Sequence, residues 1–174
     1  MLTDIAKQQL RKAGWYEGRK IDITKYEEAY AKLGCKLFPA ARKFLEEYGD
    51  LDIQDKYIST ATYENGDHFI VINRSLIDVA YCCYPRDLEL EKMVDELFHQ
   101  KILRVGAIDQ GEMNIFISED GRFFTNWHSV GLWAENSDQL WNEYYGEDYG
   151  WATWNDLKTG KGRTMFKKEI EKYL

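Results

Sequence analysis

Glu96-Leu97-Phe98-His99 sets a carboxylate and an imidazole three residues apart. On a helix that spacing supplies half of a carboxylate-bridged di-iron site. The other half needs a second such motif and two further carboxylates, and the chain has no second copy. His99 therefore reads as a surface residue, and no metal is expected. Cys82 and Cys83, set against His68, His99 or His128, offer a thiol–imidazole pair. Vicinal cysteines inside an apolar run read instead as small core residues, and without a Cys-x-x-Cys a thiolate zinc site is not expected. The basic loop Thr159-Gly160-Lys161-Gly162-Arg163 lacks the full phosphate-loop pattern and follows no strand, so it reads as a turn into the last helix. No cofactor is expected.

Asp109, Glu112, Glu119 and Asp120 cluster at two predicted turns. Turn acids are normally solvated, which suits them poorly to proton transfer. With Asp52, Asp55 and Asp67 they suit an acidic face for a protein partner. The aromatics Trp127, Trp133, Trp141, Tyr144, Tyr145, Tyr149, Trp151 and Trp154 crowd the last third. A sugar-stacking platform is one use of them; their helical and strand spacing favours core packing.

The elements that would carry these groups are readable from period and punctuation. Residues 3–13 form a first helix, capped by Thr3 or Asp4, with Ile5, Ala6, Gln9, Leu10 and Ala13 inward and Gly14 at its end. A second begins at Thr24, where Thr24-x-x-Glu27 matches a capping box, and runs through Tyr26, Ala29, Tyr30 and Leu33 to Gly34. A third has Pro39 in its first turn, Ala41, Phe44, Leu45 and Tyr48 inward, and Gly49 as its stop. Leu51-Asp52-Ile53 is a short extended piece. Residues 57–63 and 68–73 flank Glu64-Asn65-Gly66-Asp67 as a hairpin. Residues 75–84 fit strand or helix equally. Pro85 and Asp87 open a helix to about Lys101, with Leu90, Met93, Val94, Leu97 and Phe98 buried and Glu89, Lys92, Glu96 and Gln100 wet.

The centre of the chain is a three-stranded meander: Ile102 to Ile108, Met113 to Ser118 and Arg122 to Trp127. Gly111 and Gly121 supply positive φ in its turns, and Ile115 and Ile117 alternate with Asn114, Phe116 and Ser118, which predicts at least one buried face. Residues 130–134 add a short apolar piece. A helix capped by Asn136 or Ser137 runs to Tyr145 with Leu140 and Trp141 inward, and a last helix opens at Thr164. The expected fold is α+β, a mostly antiparallel sheet packed by N-terminal and flanking helices in one domain of residues 1–174.

Of 174 residues, 44% are hydrophobic and 15% aromatic, which excludes a disordered tail. The net charge is −7, and it is uneven. Residues 1–50 carry 10 basic and 8 acidic side chains, residues 51–146 carry 7 and 17, and residues 147–174 carry 6 and 5. A nucleic-acid binder shows the opposite sign. An acidic middle suits a basic protein partner through steering. Apolar runs such as 79–84 are too short to span a membrane. Met1-Leu2-Thr3-Asp4 leads straight into an amphipathic pattern, so no signal peptide is expected. Three cysteines, two of them adjacent, are no disulfide framework, and a reducing cytoplasm is expected.

Several pieces together resemble the third family of SUKH-superfamily immunity proteins. Ala13-Gly14-Trp15-Tyr16-Glu17-Gly18-Arg19 resembles that family's Ala-Gly-Trp-x-x-Gly-Arg motif. Phe44-Leu45-Glu46-Glu47-Tyr48-Gly49-Asp50-Leu51 resembles its Gly-Gly-Leu helix end, with Asp50 in place of the second glycine. Leu103-Arg104-Val105-Gly106 and Ile115 to Phe124 resemble its central strands, and Gly131 with the Leu140 to Gly146 helix end resembles its closing segment. The match covers about residues 2–146, leaving 147–174 as an extension. The resemblance implies an α+β fold and a bacterial cytoplasmic protein without catalysis. It also implies a cognate toxin domain of a polymorphic toxin system as partner, often a nuclease, which the protein binds and neutralises. It marks Gly14, Trp15, Gly18, Arg19, Gly49, Leu51, Gly106 and Gly121 as signature positions, whose role is expected to be structural. A regulatory scaffold of the same fold and a glycan-binding protein are the alternatives.

Overall fold

Local signals place the first three helices of the computed structural model, which describes residues 1–83, 88–108, 113–126, 131–145 and 152–153, the side chains of 55–62, 68–73, 97 and 152–153 excepted. Helix α1 (Asp4–Lys12) starts where the Thr3 side chain accepts the Ala6 N–H at 3.2 Å, and Gly14 takes φ +96° just past its end. Helix α2 (Thr24–Lys32) differs from expectation. Asp22, not a Thr24–Glu27 box, supplies the acceptor: its Oδ1 takes the Thr24 N–H at 2.9 Å and the Thr24 hydroxyl at 2.6 Å. Glu27 pairs instead with Arg42 of helix α3 (Pro39–Tyr48). The tertiary partner outcompetes the local one. Ala41, Phe44, Leu45 and Tyr48 are the buried stripe of α3, as their spacing predicts. Ile5 and Leu33, also expected inward, stay 55% and 39% exposed, because the apolar stripes of α1 and α2 are narrower than the sequence implies.

Strand β1 (Leu51–Thr62) is one continuous strand, where the sequence predicts two pieces. It pairs antiparallel with β2 (His68–Ile77) from Leu51↔Ile77 to Thr62↔His68, with an irregularity between Ile58 and Thr62. Ladder bonds carry the backbone through Gln54-Asp55-Lys56, whose side chains alone favour no strand. The hairpin tip forms as expected, with Gly66 at φ +87° and its N–H donated to the Tyr63 carbonyl at 2.9 Å. The ambiguous stretch divides: Ser75 to Ile77 completes β2, and Asp78 caps a one-turn helix α4 (Val79–Cys82). Helix α5 (Leu88–Phe98) follows; Pro85 and Asp87, expected to open it, lie outside the described residues.

Strands β3 (Ile102–Ile108), β4 (Met113–Ser118), β5 (Phe123–Thr125) and β6 (Gly131–Ala134) continue the meander. Helix α6 (Ser137–Tyr145) starts where Asn136 Oδ1 accepts the Gln139 N–H at 2.9 Å, and β7 (Ala152–Thr153) pairs with β6. The seven strands lie in chain order, β1 at one edge and β7 at the other, with antiparallel neighbours throughout. The fold is α+β, as expected. Gly111, His128, residues 159–163 and the helix expected at Thr164 lie outside the described residues.

The sheet is buried on both faces at its centre. Ile115, Ile117 and Phe123 face a core built with α1, α2, α3 and α6, in which Phe44 packs 5.1 Å from Phe123 and Tyr48 packs 5.5 Å from Trp141. Phe116, Phe124 and Ile102 face the other way, onto Leu90 and Val94 of α5. Between Arg104↔Phe116 and Gly106↔Ile115 the register shifts by one residue, a bulge at Val105. Gly106 sits where β2 meets β3; a Cβ there would lie 2.5 Å from Ile77 Cδ1 and 3.0 Å from the Leu76 carbonyl. That crowding explains this signature glycine by close strand approach, with no need for positive φ.

Candidate protein-binding surface

The Gly-Trp-x-x-Gly-Arg signature and the end of α3 are one physical unit. The last carbonyls of a helix lack intrahelical donors and carry partial negative charge. Arg19 supplies both donors and charge: Nη1 donates to the Glu47 carbonyl at 2.6 Å and Nη2 to the Gly49 carbonyl at 2.8 Å. Trp15, 4% exposed, donates its indole N–H to Glu47 Oε1 at 3.2 Å, and the Ile21 N–H reaches the Glu46 carbonyl at 2.9 Å. Gly18, at φ +78°, turns the chain so that Arg19 can aim at α3. Leu51, 2% exposed, anchors β1 in the core directly after. Gly49 takes φ −55°, and the left-handed residue at this helix end is Asp50 at +61°. Gly49 is small because a Cβ would collide with the Leu45 carbonyl.

Among the described residues, Asp52, Asp67 and the pair Glu119 and Asp120 lie at three separate places. Asp52 lies on β1 and takes a two-pronged contact from Arg74 of β2, Nε at 2.6 Å and Nη2 at 2.5 Å, which holds its carboxyl below the usual range. Asp67 is exposed at the hairpin tip, accepting the Asn65 amide at 2.7 Å. Glu119 and Asp120 share the β4–β5 turn, whose Gly121 takes φ +90°. Glu119 accepts the Lys101 N–H at 3.3 Å. Asp120 is committed to its neighbours: Oδ1 accepts the Ser118 hydroxyl at 2.6 Å, and Oδ2 accepts Arg122 Nε at 2.9 Å and Nη2 at 2.5 Å. Burial opposes its charge, yet these partners outweigh burial and lower its pKa. Arg122 in turn lies 4.4 Å from the Phe98 ring centroid, tying the turn to α5. β1 and β4 are three strand spacings apart, roughly 14 Å across the sheet, and Glu119 lies further along, five residues beyond the Asn114 that shares Asp52's row. Asp109, Glu112 and the Asp55 side chain lie outside the described residues.

A denser acidic surface lies on α5, which the sequence marks only as the wet side of a helix. Glu89, Glu91, Asp95 and Glu96 stand against one base, Lys92, itself 3.8 Å from Glu96. Four acids in eleven helical residues were legible as a signal. Asp52 shares this side of the sheet: Leu51 and Ile53 face the α1–α3 core, so Asp52 points to the α5 side, in one row with Leu76, Ala107 and Asn114.

The other candidates take structural places. Glu96 and His99 are both exposed at the end of α5, and no group of three or more His, Cys, Asp or Glu able to hold a metal occurs among the described residues. Cys82 is buried and its thiol is pushed well up by burial, the reverse of an activated nucleophile. Cys83 is pushed up to about 11, first by burial and then by Cys35. Trp133 and Trp141, 5% and 0% exposed, belong to the core and are withheld from any sugar platform. Trp127, Tyr149, Trp151 and Trp154 lie outside the described residues. No helix among the described residues is long and apolar enough to cross a membrane.

Among the described residues, this geometry defines an α+β protein with a capped helical layer on one face of a meander sheet and the acidic helix α5 on the other. A model of the SUKH-3 immunity protein family matches residues 3–145, and the chain belongs to that family. No curated protein and no solved structure matches it.

Proposed function

We propose that this protein binds a cognate toxin domain in a stoichiometric complex and neutralises it, without catalysis of its own, in the bacterial cytoplasm. The observation that carries this reading is the SUKH-3 immunity family match over most of the chain. The toxin is of nuclease type in this reading. A nuclease presents a basic substrate surface, and the charge of −10 carried by residues 51–146 complements it. Asp52, Asp55, Asp67, Asp109, Glu112, Glu119 and Asp120, with the acids of α5, steer the encounter. Residues 147–174 extend the same domain, a placement supported by the pairing of Leu132 in β6 with Ala152 in β7.

The test is co-expression with the toxin domain encoded beside this chain, read as growth rescue and as co-purification. Rescue with a stable complex is expected. Rescue with no complex would remove the binding mechanism, and failure of both would remove the reading.

A further inference from the structure

Strand β3 ends at Ile108, which the pairing of Leu76 with Ala107 sets opposite Ser75, and Ile108 itself pairs with Met113 of β4. From Arg74 back to His68, β2 therefore runs with β1 alone, from Gln54↔Arg74 to Thr62↔His68. This two-stranded arm stands past the end of β3 by the length of residues 68–74, roughly 23 Å. β1 is the edge strand, so among the described residues neither outer edge of the arm has a strand partner. A two-stranded ribbon alone is marginal in water, and a long open edge is a template for another chain. The arm's sequence also asks for cover. Phe69-Ile70-Val71-Ile72 is four apolar residues in succession, and strand positions alternate between faces, so both faces of the arm carry apolar positions. Tyr57 and Ile58 of β1 stand opposite Val71 and Ile70. That pattern belongs to a strand enclosed on both sides. Between Lys56 and Arg74, with His68 neutral, the only charges are Glu64 and Asp67 at the tip. Both are exposed, and no lysine or arginine among the described residues pairs with either, whereas Arg74 at the root of the arm is held by Asp52. The tip is ordered by its own bonds: the Tyr63 N–H reaches the Asp67 carbonyl at 2.8 Å, and the Asp67 N–H reaches Asn65 Oδ1 at 3.0 Å. Tyr63 is 54% exposed there.

We propose that this arm inserts into a concave basic cleft of the toxin, its shaft between apolar walls and Glu64 and Asp67 against Lys or Arg at the floor. The inference rests on the immunity reading above and names the element that enters the partner. Apolar positions on both faces and a strand edge on both sides fit a cleft and not a flat surface. The acids at the tip set the sign of the floor. A second copy of this chain would bring a net charge of −7 and the same two acids, which opposes it as the occupant. The substrate cleft of a nuclease is both concave and basic, because it holds a polyanion. Tyr63 is an anchor of the residue type that dominates interface energetics.

Amide hydrogen exchange of this protein, alone and with an inactivated form of the toxin domain encoded beside it, tests the arm. Residues 57–62 and 68–72 are expected to exchange fast in the free chain and to slow by about tenfold or more in the complex. Tyr63→Ala and Asp67→Lys change exposed positions at the tip, and each is expected to speed dissociation by about tenfold or more. A complex in which the arm exchanges as fast as in the free chain would overturn the insertion and leave the immunity reading standing. Protection with wild-type dissociation in both tip variants would overturn the basic floor. Protection that grows with protein concentration and needs no toxin would give the arm to a second copy and overturn the proposal. Absence of any complex would overturn both this inference and the reading it rests on. Thermal unfolding of each variant confirms that it is folded, and the exchange measurement needs only the wild type.

Discussion

The Tyr26 phenol oxygen lies 2.8 Å from Asp50 Oδ1, 2.8 Å from the Ile77 carbonyl, and accepts the Asp50 N–H at 2.9 Å. One fully buried hydroxyl thus joins α2, the α3–β1 corner and the end of β2. Burial pushes its pKa far up, so it stays protonated and available as a donor. Lys25 holds the same Asp50 oxygen at 2.6 Å. These contacts fix a non-glycine residue at φ +61°, where the family pattern carries glycine.

Replacing Tyr26 by Phe strips that hydroxyl from a buried site and is expected to lower unfolding free energy by about 1–3 kcal/mol. At Asp50, Ala and Gly lose the same side-chain contacts but differ in backbone freedom. The Ala variant is expected to be less stable than the Gly variant by about 1 kcal/mol. Urea midpoints of the three variants check both; equal Ala and Gly midpoints would show that the corner relaxes out of the left-handed region.

Arg19 acts as a fork on two carbonyls. Lysine keeps the charge but presents a point donor, so Arg19→Lys is expected to cost about 1–3 kcal/mol. Amide exchange should quicken in the last turn of α3 more than in α5. Uniform quickening would mean that Arg19 caps nothing in particular.

Asp120 gives a pH dependence with a definite sign. Its folded pKa is lowered by Arg122 and Ser118 against the opposing effect of burial. A depressed carboxylate contributes stability in full above the unfolded value, near 3.9, and loses it as pH falls through the folded value. The stability gap between wild type and Asp120→Asn is therefore expected to be widest near neutrality and to close below about pH 4. Urea midpoints from about pH 6 to about pH 2.5 read it. A gap constant across that range would place the Asn effect in packing and not in charge.

Charge reversal at Asp67 and Glu119 together should slow toxin association, more so at low salt, because exposed charges act at long range and are screened. Reversal at Asp52 or Asp120 is expected to reduce stability as well, since each already holds an arginine. Association rates that ignore ionic strength would rule out steering by this surface.

The sequence by itself determined what depends on neighbours in the chain. Thr3, Pro39 and the glycines after α1 and α2 bound the first three helices, and alternation with turn residues delimits β3 and β4 to the residue, because caps, φ limits and side-chain period are local properties. The family signature was equally visible as letters. Its meaning was not: that Arg19 reaches Glu47 and Gly49, or that Gly106 makes room for Ile77, depends on segments about thirty residues apart. Tertiary structure alone carried β1 unbroken to Thr62, since β2 supplies the ladder that Gln54 and Lys56 would not ask for. It also sent α5 across the sheet, burying Phe116 and Phe124 opposite Ile115 and Phe123. The fate of each acid was settled the same way. Asp52 and Asp120 were claimed by arginines and Glu96 by Lys92, because which charge meets which is decided by strand register and helix placement.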